Sequence, residues 1–228
     1  MFCYNTLICY ILTFFTIPIK LWLLAIINFI VALAIGIPII TKNQIQRYIF
    51  NKIDIFYITL IAIILLIIVY INFGYPFDVN YISSDPSIHY IVPMRFAEQE
   101  TLMPNSENDM VYGKLPTFKP NSYVNSGLLM KCFCENLDTI ECYNVFVGFS
   151  IFTLFMIGVV IYCALKKYAK RKEHIFWAFL VATICTIGYP LNSFLYGFEY
   201  LTMGLLIVSA ILNLIFFNQF RDCKYRIL

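Results

Sequence analysis

The sequence predicts an all-α protein: a polytopic transmembrane helical bundle of five or six spans, with one extracytoplasmic loop that carries an interfacial helix. Of the 228 residues, 61% are hydrophobic and 13% are charged, and the mean hydropathy is +0.79. Soluble domains carry about 25% charged residues. Apolar runs of about 20 residues, the length that crosses ~30 Å of hydrocarbon, recur along the chain. Basic residues cluster between these runs.

The apolar runs divide the chain into three regions. Residues 1–73 form an N-terminal membrane region, residues 74–142 form a loop, and residues 143–228 form a C-terminal membrane region with a tail. The predicted spans are about residues 2–16, 21–40, 55–73, 143–165, 175–191 and 199–217.

The first two spans have an alternative. Residues 2–40 contain one full charge, at Lys20. A single helix of that length would measure about 60 Å at 1.5 Å per residue, roughly twice the hydrocarbon core. Pro18 favours a helical hairpin that turns near Lys20, since proline ends or kinks a helix. The alternative is one span at residues 21–40 preceded by an interfacial helix, which would give five spans.

The distribution of lysine and arginine predicts the orientation. Residues 41–54 hold three basic residues, residues 166–174 hold five, and the tail after Asn218 holds three. The loop at residues 74–142 holds four basic residues against nine acidic ones, a net charge of −5. Because positive connections stay inside, we expect a multi-pass cell-membrane protein with this loop outside and the C-terminus cytoplasmic. Because the clusters of basic residues lie between the predicted spans, they are explained by the orientation in the membrane. No nucleic-acid partner is expected.

The loop contains a helix start. In SSDPSIHYIVPMRFAEQE, Asp85 suits the N-cap and Pro86 the first helical position. Apolar residues follow at helical spacing, which predicts an interfacial helix that Pro93 would bend. His89 lies four residues after Asp85, near the same face. The two side chains would suit a general base and its partner; the alternative is a helix cap and a histidine that faces headgroups.

With this helix after a hydrophobic span, the chain resembles bacterial members of the GT-C superfamily of membrane glycosyltransferases. The features are a hydrophobic span, a short linker, an Asp-Pro-x-x-His-Tyr helix at residues 85–90 and a long outer loop. Residues 189–200 resemble a later outer hairpin of the same group, which closes over a lipid-facing cleft. The resemblance covers about residues 55–217. Such enzymes usually have more spans than this chain, often followed by a soluble domain. The resemblance therefore implies a truncated or reduced member of the superfamily.

The resemblance implies transfer of a sugar, with inversion, from a polyprenyl-phosphate donor to an envelope glycan or lipid acceptor on the outer face. Asp85 matches the acidic position of the family and would withdraw the acceptor's proton, with His89 as its partner. Asp78 is a second match to that position. Arg95 or Lys114 would bind the donor phosphate.

Three further residues are candidates for substrate binding. Tyr123 and Asn125, within NSYVNSG at residues 121–127, would stack on and hydrogen-bond a sugar; the alternative is a turn, since Asn, Ser and Gly favour turns. Glu199 is the only acidic residue of the last apolar stretch, and ionisable groups at membrane depth are often functional. If the hairpin turns at residues 192–199, Glu199 lies at the headgroups instead.

No cofactor or metal site is predicted. The chain has no P-loop and no GxGxxG, and its two histidines, His89 and His174, fall on opposite sides of the membrane in this topology. Besides membrane lipid, the expected partner is the polyprenyl-linked sugar. An enzyme is one reading; the alternative is a non-catalytic multi-pass subunit or scaffold of an envelope assembly or transport complex. Two of the three loop cysteines, Cys132, Cys134 and Cys142, could form one disulfide, for example Cys134 with Cys142; the alternative is ordinary packing.

Overall fold

A computed structural model describes residues 2–41, 51–74, 86–102, 120–137, 139–196 and 199–216. All regular secondary structure in these ranges is helical, and none of them contains a strand. The all-α prediction is therefore confirmed for the described part of the chain.

The described residues include nine α-helices and one short 3₁₀ turn. The helices are α1 Phe2–Phe14, α2 Leu21–Thr41, α3 Lys52–Phe73, α4 Pro86–Gln99, α5 Pro120–Phe133, α6 Thr139–Lys166, α7 Lys172–Ile187, α8 Tyr189–Leu195 and α9 Glu199–Phe216, with the 3₁₀ turn at Glu135–Leu137. Each of the six apolar runs thus forms a helix close to its predicted bounds.

Three helical segments are long and apolar enough to cross a membrane: Lys52–Phe73, Ile140–Lys166 and Lys172–Leu195. The last of these joins α7 and α8. Shorter apolar helical stretches occur at Cys3–Phe14, Leu21–Ala34 and Tyr200–Asn213. Membrane character is supported by the three long segments, and the count of five or six spans stays a prediction.

The outer surface of α3 is apolar. Its buried hydrophobic residues form one narrow stripe at a spacing of four residues, Ile61, Leu65, Val69 and Phe73. Apart from Lys52, Thr59 and Asn72, the side chains exposed on this helix are apolar or aromatic, namely Ile53, Ile55, Phe56, Ile63, Leu66, Ile67, Tyr70 and Ile71. A surface helix of a soluble protein presents polar residues on that side, whereas a helix that is hydrophobic all round belongs in a core or a membrane.

The chain packs into two compact units. Unit 1 contains Met1–Asn51 and Tyr90–Phe146, and unit 2 contains Lys52–His89 and Val147–Leu228. Unit 1 therefore combines α1, α2, α5 and most of α4, while unit 2 combines α3, α7, α8, α9 and most of α6. This grouping cuts across the regions drawn from the sequence, because α5 of the predicted loop packs on α1.

Unit 1 is held by close packing of α5 against α1 and α4. Its buried core includes Cys9 and Leu12 of α1 and Tyr123 and Val124 of α5. Gly127 of α5 permits a close approach to α4. A Cβ atom at this position would lie 2.6 Å from the carbonyl oxygen of Pro93 and 2.5 Å from Cδ1 of Phe96.

Unit 2 has a similar crossing point at Gly158 of α6. A Cβ atom there would lie 2.9 Å from Oγ1 of Thr186 in α7 and 3.0 Å from Cγ2 of Ile61 in α3. Small residues let membrane helices approach closely. The Thr186 hydroxyl donates to the Ala182 carbonyl oxygen at 2.7 Å, so this buried polar group is satisfied within its own helix.

Two apolar helices end at glycine residues, as their sequences predict. After α3, Gly74 adopts φ 66, and its N–H donates to the Tyr70 carbonyl oxygen at 2.9 Å, as glycine commonly does beyond a helix C-terminus. Between α7 and α8, Gly188 has φ −66 and ψ −125, and Pro190 follows at the start of α8. The predicted break at these residues is observed as a kink, and the helical segment continues to Leu195.

We expect Gly127→Ala to lower the free energy of unfolding by about 1–3 kcal/mol, the usual cost of overpacking a core. The added methyl group meets a backbone carbonyl, which cannot rotate away. Thermal or denaturant unfolding of the purified protein in detergent would measure the loss. The matched control is Gly148→Ala in α6, where an added Cβ meets nothing within 4 Å. Equal stability of the two variants would contradict the close approach.

Candidate functional site

Of the two predicted catalytic residues, the structure describes His89, in the first turn of α4. This helix begins at Pro86, as its cap sequence predicts. His89 lies in its first turn and Glu199 is the first residue of α9, but only the backbone is described at these two positions. Three of the predicted site residues fall outside the described residues: Asp78, Asp85 and Lys114. The side-chain geometry at all five positions stays a prediction.

Arg95, a predicted phosphate ligand, forms an ion pair within α4. Its Nη1 donates to Oε2 of Glu98 at 3.1 Å, and the two side chains are 45% and 34% exposed. Exposed pairs at this spacing contribute little stability. The guanidinium therefore remains accessible at the surface of α4, with part of its charge balanced by a neighbour.

Tyr123 and Asn125 lie in the interior of unit 1. The NSYVNSG segment forms part of α5 rather than an exposed patch or a turn, and Tyr123 is 1% and Asn125 3% exposed. The Asn125 amide donates to the Thr6 hydroxyl of α1 at 3.4 Å. The accessible sugar-binding surface expected from this segment is not observed. Substrate contact by these side chains stays a prediction that would require α1 and α5 to separate.

Glu100 joins three segments of unit 1. Its carboxylate accepts hydrogen bonds from the ammonium groups of Lys20 and Lys131, and its backbone carbonyl accepts from Ile19 N–H at 2.8 Å. Glu100 follows the last residue of α4 and has φ 57, a conformation that non-glycine residues adopt uncommonly. The residue therefore ties the α1–α2 turn and α5 to the end of α4.

The two lysines set the acidity of this group. Burial alone would raise the pKa of the Glu100 carboxyl, but the hydrogen bonds and charges of Lys131 and Lys20 outweigh it and lower the pKa below its ordinary value of 4.5. The sequence offered one signal for this cluster, since Lys20 is the single full charge of residues 2–40. Its partners are distant in sequence and could not be identified from it.

A second ion pair lies inside unit 2. Asp54, in the first turn of α3, is 1% exposed. The Tyr162 hydroxyl donates to its Oδ1 at 2.8 Å, and the Lys166 ammonium donates to its Oδ2. Lys166 is the last residue of α6, so the beginning of α3 and the end of α6 meet at one end of the unit. In the sequence, Lys166 stands out only as one of the five basic residues at 166–174 that predict the orientation, and Asp54 is given no role.

Aromatic rings pack next to Tyr162, the hydroxyl partner of Asp54. Tyr57, one turn after Asp54, stacks on Phe179 of α7 with ring centroids 4.9 Å apart, and its ring centroid lies 6.3 Å from that of Tyr162. A buried carboxylate needs hydrogen-bond partners and a counter-charge, and Asp54 has both. The arrangement links α3, α6 and α7 and has the character of a structural site.

An open cleft of about 220 Å³ lies between α8 and the start of α9 in unit 2. Its lining is aromatic and polar, consisting of Tyr189, Asn192, Ser193, Tyr196, Tyr200 and Leu201. Tyr189 is 62% exposed and Tyr196 39%, so two ring faces are accessible. Tyrosine rings stack on apolar faces of a ligand, while amide and hydroxyl groups fix its orientation by hydrogen bonds. This is the hairpin that the sequence compared with a GT-C outer hairpin.

The cysteines contribute no cross-link in the described part of the chain. All seven described cysteines, including Cys134 and Cys142, are in the thiol form. The Cys134–Cys142 disulfide is therefore not observed, and packing is the alternative that remains. Within the described ranges, no group of three or more His, Cys, Asp or Glu side chains is arranged to hold a metal ion.

We expect Asp54→Asn to lower the free energy of unfolding of unit 2 by about 3–5 kcal/mol, because the ammonium of Lys166 loses its counter-charge in a mostly buried position. Adding Lys166→Met should recover much of that loss, since removing both charges is often close to neutral. Denaturation in mixed micelles would give the double-mutant cycle. Glu173→Gln, an exposed acid of the same unit, is the control. Additive effects of the two substitutions would rule out the pair.

We also expect the stability of unit 1 to fall as the pH drops below 4.5. The folded-state pKa of Glu100 is lowered, so the folded protein holds fewer protons here than the unfolded chain. Its contribution is therefore present above the ordinary pKa and lost as the pH falls through the folded-state value. Unfolding midpoints measured against pH would show a flatter curve for Glu100→Gln. Glu98→Gln, which removes the same charge from an exposed pair, should keep the wild-type slope; a flattening as large as that of Glu100→Gln would contradict the assignment.

Comparison with known proteins gives no relative on which to base a function. No protein-family model, no curated protein and no solved structure matches this chain. Proposals about function therefore rest on the residues and surfaces described above.

Proposed function

We propose that this chain is a multi-pass membrane protein with five or six spans, with residues 74–142 on the outer face and the C-terminus in the cytoplasm. The three long apolar helical segments support this proposal. The contact between Asp54 and Lys166 adds support, because it brings together two helix ends that adjoin basic connections in the sequence. Basic connections on one side are what the positive-inside rule requires.

We further propose that the protein transfers a sugar from a polyprenyl-phosphate donor to an envelope glycan or lipid acceptor. The α8–α9 cleft carries this proposal. Its volume of about 220 Å³ is below the roughly 300–1,000 Å³ of sites for drug-sized ligands. It therefore suits one sugar ring with its phosphate outside, while the polyprenyl chain lies along the apolar outer surface of the spans.

The proposed reaction is an inverting displacement. Asp85 withdraws the proton of an acceptor hydroxyl, with His89 orienting or relieving the carboxyl group. The acceptor oxygen then bonds to the anomeric carbon, and the bond from that carbon to the phosphate oxygen breaks. Polyprenyl phosphate leaves with its electron pair, and a cation such as Arg95 or Lys114 stabilises the charge on its phosphate. Asp78 and Glu199 would hold sugar hydroxyls.

Transfer of labelled sugar in isolated membranes tests this proposal. Polyprenyl phosphate carrying labelled glucose or mannose is supplied, and label is followed from the donor lipid to the acceptor fraction. We expect Asp85→Asn to reduce transfer at least 100-fold, since general-base catalysis typically contributes about 10²–10⁴. Asp109→Asn, which removes the same charge from the same loop, should transfer normally.

The cleft has its own matched pair of variants. Tyr196→Ala removes an exposed ring of the cleft and should raise the donor concentration needed for half-maximal transfer. Tyr70→Ala removes a ring of comparable size that is 65% exposed on α3 and should have no such effect. Full transfer by Asp85→Asn, or equal effects of the two tyrosine variants, would contradict the enzyme proposal.

A second candidate is a non-catalytic subunit or scaffold of an envelope assembly or transport complex. Burial of Tyr123 and Asn125 under α1 favours it, because the polar segment then serves packing. Copurification tests it. A complex that survives Asp85→Asn combined with His89→Ala, but is lost when residues 103–119 are deleted, would favour the scaffold over the enzyme.

A further inference from the structure

A second cleft lies between the end of α6 and the start of α7 in unit 2. Its volume is about 290 Å³. Tyr168 and His174 line its polar end, and Leu165, Ala178 and Val181 line its apolar end, with Trp177 also in the wall. We call it the α6–α7 cleft. None of these residues belongs to the proposed sugar site.

Cations lie in the short segment that joins two residues at the polar end of the cleft. Ala169 and His174 both line it, and the segment that connects them contains Lys170, Arg171 and Lys172, all of which are exposed. Glu173, also exposed, is the one acidic residue of this segment. The connection therefore presents a net charge of +2 next to the cleft.

The start of α7 adds to this positive field. Arg171 occupies the N-cap, and no side chain caps the helix. The first N–H groups of a helix have no partners within the helix and favour an anion. The backbone and the side chains thus attract the same kind of group at the same end of the cleft.

The apolar end continues along the outside of α7. Trp177, Val181 and Ile184 are 58%, 41% and 60% exposed, and their spacing of four and three residues places them on one face of the helix. This face leads away from the cations along a segment long enough to cross a membrane. A soluble phosphate compound would make no use of it.

We infer that the α6–α7 cleft binds an anionic phospholipid, with its phosphate at the Lys170–Lys172 end and an acyl chain along Trp177, Val181 and Ile184. A cationic end joined to an exposed apolar face matches the two parts of such a lipid. Tryptophan at the boundary suits the headgroup level of a membrane. The inference rests on the spans of the proposed function and is independent of sugar transfer.

Fluorescence quenching by brominated lipid tests the inference. The chain has two tryptophans, so Trp22→Phe leaves Trp177 as the only one. The variant is reconstituted in phosphatidylcholine vesicles that contain increasing fractions of brominated phosphatidylglycerol or brominated phosphatidylcholine. We expect half-maximal quenching at a fraction of brominated phosphatidylglycerol about fivefold lower than that of brominated phosphatidylcholine. A fivefold difference corresponds to about 1 kcal/mol, the contribution of one cation at an anionic surface.

Two further variants separate a built site from general surface charge. Lys170→Gln with Arg171→Gln should raise the half-maximal fraction of anionic lipid by about fivefold or more. Lys42→Gln with Arg47→Gln removes the same charge from another predicted cytoplasmic connection and should leave it unchanged. Ala169→Leu keeps every charge but fills the cleft, and should also weaken the preference.

Three results would overturn the inference. The first is that the two brominated lipids quench Trp177 equally. The second is that both double variants lose the preference for anionic lipid to the same extent. The third is that inorganic phosphate relieves the quenching more than chloride does at the same ionic strength. The last result would assign the cleft to free phosphate. Quenching by neither lipid would instead contradict membrane insertion of α7, whereas loss of sugar transfer alone would leave the lipid site intact.

Discussion

The structure depends first on the apolar outer surface of its helices. Around α3, Asp54, Tyr57 and the stripe from Ile61 to Phe73 meet other helices, and most of the side chains exposed elsewhere on its surface are apolar or aromatic. Water would not stabilise such a surface, and hydrocarbon would. Backbone polar groups must then be satisfied within each segment, which only helices and closed barrels can do in lipid. The helical form of the three long apolar segments is consistent with that constraint.

Within this apolar frame, a few polar contacts determine which helices meet. Asp54 with Tyr162 and Lys166 joins α3 to α6, and Glu100 with its two lysines joins α4 to the α1–α2 turn and to α5. Apolar surfaces attract one another without direction, whereas a buried carboxylate needs particular partners. Close approaches at Gly127 and Gly158 complete the packing. The two accessible clefts lie at helix ends, where the buried contacts leave polar side chains exposed.

The local sequence was sufficient to predict structural features that depend on neighbouring residues. The apolar runs, the helix start at Pro86 and the kink between Gly188 and Pro190 are all observed, because span length, capping and proline geometry act within a few residues. Tyr123 and Asn125 show the opposite case. Their composition suggested an exposed turn, but α1 covers them, and a contact across more than 100 residues leaves no trace in the local pattern. Whether two cysteines come within bonding distance is likewise decided by packing.

The sequence by itself determined the helical class, the approximate bounds of the apolar segments and the start of α4 at Pro86. These depend on hydropathy, charge and backbone preferences that each residue carries with it. Only the tertiary structure decided that Asp54 meets Lys166, that the α5 segment is interior, and that Tyr189 to Leu201 and Leu165 to Val181 enclose clefts. Each of these requires residues from different helices or turns to come together, and that depends on the packing of the whole unit.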